Sequence, residues 1–238
     1  MRAATVFSGI GGADLGLQQS GFEIIWQCER DQWRRDVLAQ RFPHVQCFWE
    51  AETLHEIVGT EPLDLLFADP PDRDPASLAP LWPIIARVRP TWVVMQATTL
   101  GASLLAAEMP RLGYSGCGFV MHQSSIRLGL EMHRHHPIAV AWKEEVRPDV
   151  AMVCSEAEDS MVEPAIQTPP RTIVEVVEYL QGLPPGWSCL CGATNPQACC
   201  ESSTRLVAVN QATPPDLTRV IGVRLVSGLH RVVRVAVA

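Results

Sequence analysis

The chain has 238 residues, 47% of them apolar, and a formal net charge of −7. That length holds one large core, or one core with a small satellite lobe. No apolar run approaches the roughly 20 residues of a membrane span, and the acidic balance argues against non-specific nucleic-acid binding through a broad basic face.

In chain order, Ala4–Phe7 reads as a strand and Gly11–Gln19 as the opening of a helix. Glu23–Gln27 is a second strand, followed by a charged helix over Gln32–Arg41 and a third strand at Val45–Phe48. Leu63–Ala68 is nearly all apolar, as expected of a strand covered on both faces. Helices are expected around Leu78–Val88 and Ala102–Leu112, on either side of a strand at Trp92–Met95. Gly118–His122 and Pro137–Trp142 read as two later strands, antiparallel to each other. This β–α rhythm predicts a mixed, doubly wound α/β sheet.

The rhythm breaks at 144–170, where EEVRPDVAMVCSEAEDSMVEP carries seven Asp or Glu against one Arg. Three parts are therefore expected: an α/β core over 1–143, an acidic linker or minimal lobe over 144–170, and a C-terminal segment over 171–238. In the last part, apolar spacing predicts a helix over 171–183 and another over Thr213–Leu225, with Pro214 and Pro215 at its first positions. Leu229–Ala238 reads as a terminal strand. The first residues show no signal-peptide anatomy, so a cytoplasmic location is expected.

The chemistry-bearing features begin with Gly9, Gly11 and Gly12, directly after the first strand. Glycines there allow a tight turn and a close backbone approach to a ligand. The helix behind them offers free N–H groups. Glu29, at the end of the second strand, is placed to take both hydroxyls of a ribose. The same residues also make an ordinary strand–helix turn with a surface glutamate. The pattern lacks the full dinucleotide fingerprint, so NAD is not favoured.

The segments FSGIGGADLGLQQSGF with CERD at 28–31, PLDLLFADPP at 62–71, WVVMQATTL at 92–100, GLEMHRHHPIAVA at 129–141, EYLQGLPPGW at 178–187 and RLVAVNQATPPDLTRVIG at 205–222 occur in an order that resembles the DNA cytosine-5 methyltransferases. The resemblance implies a Rossmann-like methyltransferase fold and S-adenosylmethionine as cofactor. It implies that Phe7, Gly9, Gly11 and Gly12 hold the methionine side, that Glu29 holds the ribose and that Glu50, an imperfect match, faces the adenine. Pro70 would line the pocket, and Asn210 with Ala212 would close it. Asn210 alone is equally a cap for the following helix.

The departures from the family pattern fall on its chemistry. C5 methylation needs a thiolate to attack C6 of cytosine, and the family's Cys after Pro-Pro is Asp72 here. The family's Glu-Asn-Val triplet becomes Gln96, Ala97 and Thr98, and glutamine cannot act as an acid. The Gln-x-Arg-x-Arg pattern becomes Met132, Arg134 and His136. The interval that carries the family's target-recognition domain is short and acidic here, a poor surface for gripping duplex DNA around a flipped base.

Two further readings stay open. DPPD at 69–72 echoes the Asp-Pro-Pro-aromatic loop of amino-group methyltransferases without its aromatic, and it also reads as an exposed turn. His133 and His135 would share one strand face, with His136 on the other. The Cys189, Cys191, Cys199, Cys200 spacing is not a standard zinc knuckle, so no metal is expected.

The sequence thus predicts a catalytically altered homologue that keeps a cofactor-sized pocket and acts as a regulatory, scaffolding or partner subunit. Its partner would be another protein or a second copy, with nucleic acid engaged weakly or through that partner. The alternative is an active S-adenosylmethionine-dependent transferase with another target, in which Asp69, Asp72, Gln96 and Arg134 carry the chemistry.

Overall fold

The computed structural model describes residues 1–70, 75–96, 98–127, 130–143, 146, 172–190 and 203–235, with side chains described except at 75, 99, 116–127, 130–137 and 228–235. Seven strands form one sheet: β1 Arg2–Val6, β2 Glu23–Cys28, β3 Gln46–Phe48, β4 Leu65–Ala68, β5 Trp92–Gln96, β6 Tyr114–Arg127 and β7 Leu130–Lys143. Their order is β3-β2-β1-β4-β5-β7-β6. The β1, β2, β3, β4 and β5 pairings are parallel, and β7 runs antiparallel to both β5 and β6. This is the Rossmann-like fold of S-adenosylmethionine-dependent methyltransferases. The winding reverses between β1 and β4, so a crevice opens there at the carboxyl edge of the sheet, where ligands of such folds bind.

Helices cover both faces: α1 Gly12–Gln19, α2 Gln32–Arg41, α3 Leu54–Ile57, α4 Leu81–Val88, α5 Thr99–Glu108, α6 Ile173–Leu180, α7 Ser203–Gln211 and α8 Pro215–Val235. Every residue of β4 is buried, because it lies mid-sheet between two helical layers. One core packs Leu66, Val93 and Met95 against Leu81, Ile84 and Leu105. On the opposite face Leu65, Phe67 and Val94 meet Leu17, Leu217, Ile221 and Leu225.

The α1–α8 contact depends on missing side chains. A Cβ on Gly12 would stand 2.1 Å from the Thr213 carbonyl oxygen, and one on Gly16 would stand 2.0 Å from the Pro215 carbonyl oxygen and from the Thr218 hydroxyl. Beneath this contact, Asp14 is fully buried and accepts a hydrogen bond from the Thr5 hydroxyl at 2.7 Å. Burial pushes its carboxyl up to about 6, opposed only in part by neighbouring polar groups.

Several sequence expectations change. The Ala102–Leu112 helix begins earlier, at Thr99, with Thr98 capping it through Gly101 N–H at 3.2 Å, and gives way to a 3₁₀ turn, Met109–Leu112, around Pro110. The Leu78–Val88 helix splits into a 3₁₀ turn, Pro75–Leu78, and α4. The terminal strand is replaced by helix: α8 continues through Val235. The Val-rich end favours a strand by propensity, but Leu217, Ile221 and Leu225 bury at helical spacing, and β-branched residues cost only about 0.5 kcal/mol each once that helix has nucleated.

The two late strands are much longer than expected. β5 pairs with β7 only over Ile138–Trp142. β6 and β7 continue together through eight more register pairs, from Val120 opposite Pro137 to Arg127 opposite Leu130. This two-stranded arm extends about 26 Å past the carboxyl end of β5. Of the acidic interval 144–170, all but Val146 lies outside the described residues, and Val146 packs against the core.

Candidate active site

The β1–α1 turn is built from unusual backbone. Phe7, a non-glycine residue, holds φ 60°, and Gly9 and Gly11 hold 58° and 83°. The left-handed Phe7 costs about 1–2 kcal/mol. It is held by the Ser8 N–H donating to the Cys28 carbonyl at 3.0 Å, and by the Gly11 N–H donating to Ser8 at 3.0 Å. Glu29 fixes the turn from the next strand. Its Oε2 accepts from the Gly9 N–H at 2.8 Å, and its Oε1 accepts from the Asp31 N–H at 2.9 Å. Asp31 in turn caps α2 through the Arg34 N–H at 2.9 Å.

The C-terminal segment braces this turn from outside. The Trp187 indole donates to the Ile10 carbonyl at 2.7 Å. Arg41 lies over the Trp187 ring, 5.2 Å from its centroid, and donates to the Trp187 carbonyl at 2.6 Å. The loop that carries Trp187 is anchored by a buried ion pair, Arg205 to Glu178 at 3.1 Å, with side chains 1% and 0% exposed. Glu178 also accepts from the Gly186 N–H at 2.6 Å and the Ser188 N–H at 2.8 Å, so the buried charge is fully engaged.

A cavity of about 610 Å³ opens at the switch point. The β1–α1 turn contributes Phe7, Ser8 and Gly9, and the end of β2 contributes Cys28, Glu29 and Arg30. Trp49, Ala51 and Glu52 line it after β3, Asp69 and Pro70 after β4, and Gln96 at the end of β5. Ala208, Asn210, Gln211, Ala212 and Thr213 close it from the end of α7. Arg34 bridges the rim by donating to Gln211 at 2.7 Å. Trp49 stands 63% exposed there.

The structure thus brings Phe7, Gly9, Glu29, Asp69, Pro70, Gln96, Asn210 and Ala212 to one cavity. Gly11, Gly12 and Glu50 are not on its lining. Gly11 gives room instead to Phe42, whose ring would lie 2.5 Å from an added Cβ, and Gly12 gives room to Thr213. Asn210 sits in the last turn of α7, before the break that precedes α8. Asp72 lies outside the described residues. Arg134 is placed on the β7 arm opposite Gln123, with its side chain outside the described part. Sequence reasoning missed Arg34 and Thr213, whose roles depend on Gln211 and Asp69, far away in the chain.

The titratable groups at the cavity differ in character. Asp69 is half-buried, and desolvation pushes its carboxyl up to about 7. The Thr213 hydroxyl, which donates to Asp69 Oδ2, and Arg34 oppose that shift, whereas Glu29 adds to it. Gln96 Oε1 is buried with no hydrogen-bond partner among the described residues. Cys28 is a thiol on the cavity wall, but burial pushes it up to about 12, with Cys47 and Glu29 adding to the shift. Burial therefore favours its protonated thiol over the thiolate.

Among residues whose side chains are described, no group of three or more His, Cys, Asp or Glu is arranged to hold a metal. Among the described residues, no helix is long and apolar enough to cross a membrane.

Residues 1–71 match the family model of C-5 cytosine-specific DNA methylases. Over 74 residues, 31% of this chain, the sequence is 38% identical to the type II methyltransferase M2.BsuMI of Bacillus subtilis, and the match spans 18% of that relative's length. A chain described as a DNA modification methyltransferase encoded within an E. coli prophage superposes with a TM-score of 0.74 at 12% identity, covering 97% of this chain and 99% of that one. S. pombe Dnmt2 methyltransferase gives 0.68 at 11% identity, covering 96% and 99%. These two likenesses establish the fold alone. The N-terminal 71 residues are thus similar to the C-5 cytosine-specific DNA methylases, and the match spans only a small part of the curated relative's length.

Proposed function

We propose that the chain binds S-adenosylmethionine in the switch-point cavity, does not methylate cytosine at C5, and works as a regulatory, scaffolding or partner subunit. The observation that carries this reading is the composition of one cavity. Its nucleotide side is formed by Gly9 and Glu29, while its reaction side offers Asp69 and Gln96. The fit to the cofactor rests on three features. The volume of about 610 Å³ lies within the range of small-molecule sites. The Glu29 carboxylate has lone pairs left beyond its two N–H contacts, enough for ribose hydroxyls. Glu29 and Glu52 supply negative charge for a cationic ligand. When bound, the cofactor supplies an electrophilic methyl group.

The proposed loss of C5 chemistry rests on Asp72 in place of the family's thiol, Gln96 in place of its acid, and the elevated Cys28 thiol. The test is calorimetric titration with S-adenosylmethionine and S-adenosylhomocysteine, alongside a cytosine methylation assay on DNA. Binding of both with no 5-methylcytosine is expected. Formation of 5-methylcytosine by the purified protein would sink the proposal, and absence of binding would leave a scaffold only. The partner role is tested by native mass measurement after co-expression with neighbouring gene products.

A second reading is favoured by the raised Asp69 carboxyl on the same cavity as Gln96 Oε1, which has no hydrogen-bond partner among the described residues. Two such groups suit an amine acceptor: Gln96 takes a hydrogen bond from the N–H, and Asp69 takes up the proton that the amine loses on methylation. In that case Asp69→Asn and Asp72→Ala each abolish methyl transfer to the amine while the protein stays folded. Full activity in both variants removes this reading.

A further inference from the structure

A second cavity, of about 470 Å³, lies away from the switch point. It sits toward the amino ends of the strands: Arg2 opens β1, Gln46 opens β3, and Pro62 and Leu63 lead into β4. The switch-point cavity begins at Phe7, about 16 Å further along β1. The two share no lining residue among those described.

A break in the strand pattern builds the wall of this cavity. Ala3 pairs with Ile24 and Ala4 with Trp26, so Ile25 is an extra residue in β2. Bulges are rare between parallel strands, and they re-aim side chains. A regular strand alternates its side chains between faces. Here Ile24 packs in one core, whereas Ile25 and Trp26 both turn to the other. Trp26 meets Phe48 of β3 edge-on, with ring centroids 6.2 Å apart and planes at 78°. Val58, Leu63 and Val88 complete the apolar wall. Helix α3 is too short to cover it: four residues long, it ends at Ile57, which stands 60% exposed at the rim.

The mouth is acidic. Arg2 is the only cation among the described lining residues, and it is already engaged. Its guanidinium donates to Glu61 and, at 3.1 Å, to the Pro62 carbonyl, and its backbone N–H donates to the Asp64 carboxylate at 2.7 Å. Glu23 and Asp64 act on the same guanidinium as Glu61 does. One positive charge thus stands among three negative ones, so an arriving anion meets repulsion and a cation attraction. The aromatic wall favours the same sign, because ring faces attract cations.

We propose that this pocket binds a small organic cation, an alkyl- or arylammonium whose apolar body lies against Trp26, Phe48 and Val58 and whose charge sits at the mouth beside Glu61. The site is independent of the switch-point cavity and of the function proposed there. Its volume suits a small molecule. Glu61 engages Arg2 through Oε2, which leaves Oε1 for the ligand.

The experiment titrates the full chain with benzyltrimethylammonium by calorimetry, with phenylacetate as an anion of similar size. Saturable binding of one equivalent of the cation is expected, and binding of the anion at least tenfold weaker. Ile57→Lys puts a like charge at the rim from an exposed position and weakens the cation at least tenfold. Glu61→Gln weakens it about threefold, as fits one exposed charge. S-adenosylhomocysteine neither competes with the cation nor loses affinity in the two variants. If S-adenosylhomocysteine does not bind at all, the function proposed for the first cavity fails alone, and an unchanged urea midpoint shows that each variant is folded. No saturable binding of the cation at millimolar concentration overturns the proposal, as does equal binding of phenylacetate. Competition by S-adenosylhomocysteine, or full binding by folded Ile57→Lys, overturns it too by placing the cation elsewhere.

Discussion

The two sides of the cavity are built on opposite terms. On the nucleotide side, Glu29 is held by two backbone N–H groups, and the turn it fixes is braced by Trp187 and, behind that, by the Arg205–Glu178 pair. On the reaction side, Asp69 is desolvated with its carboxyl raised to about 7, and Gln96 Oε1 has no partner among the described residues. The first side is complete before any ligand arrives. The second retains unmet hydrogen-bonding capacity, which costs stability unless something occupies it. Different contacts maintain the two sides, so one can be altered without the other.

The sharpest way to break that contrast is to remove the brace. Arg205→Ala leaves the Glu178 carboxylate buried without its cation, and a loss of about 3–5 kcal/mol in urea unfolding is expected. If the loss is under 1 kcal/mol, the brace does not support the nucleotide side. Gly16→Ala puts a Cβ against backbone that cannot move aside, and about 3 kcal/mol of destabilisation is expected from the same measurement. A neutral result would mean that α8 does not sit so close to α1.

Glu29→Ala orphans two N–H groups, costing about 2 kcal/mol of stability, and weakens S-adenosylmethionine binding at least tenfold by calorimetry. Unchanged affinity would remove Glu29 from the ligand contact. The smallest effect belongs to the reaction side. The folded Asp69 binds its proton more tightly than the unfolded chain does, so stability is present at low pH and falls as pH rises through about 7. The buried Asp14 contributes a similar fall that is complete near pH 6. Between pH 6 and 7.5 the remaining loss, about 1 kcal/mol once partial exposure is discounted, is assigned to Asp69. Asp69→Asn flattens that interval, and persistence of the slope in the variant would assign it elsewhere.

How much of this was legible in the sequence depended on the range of the interaction. The β1-turn-α1 unit, the buried β4 and the motif order could be read because they are local patterns. The α2 cap at Asp31 is local too. What could not be read depends on contacts across the chain: Arg34 with Gln211, Thr213 with Asp69, and Trp187 with Ile10. The adjacent glycines show the same limit. Gly9 bounds the cavity, whereas Gly11 and Gly12 make room for Phe42 and Thr213, and nothing in the spacing separates those jobs. The terminal helix was misread as a strand because propensity is a weak prior against burial at helical spacing.

The contact of α1 with α8 also sets an order of events during synthesis. The Thr218 hydroxyl donates to the Ala13 carbonyl across 205 residues of chain, and Thr213 reaches Asp69 across 144. Strands β1 to β5 can pair while the rest of the chain is still being made, but the wall provided by Asn210, Ala212 and Thr213 is added only after that part of the sheet has been synthesised. A ligand of this cavity therefore meets a finished site only once α8 has docked, and nascent chains expose the apolar face of α1 until α8 arrives to cover it.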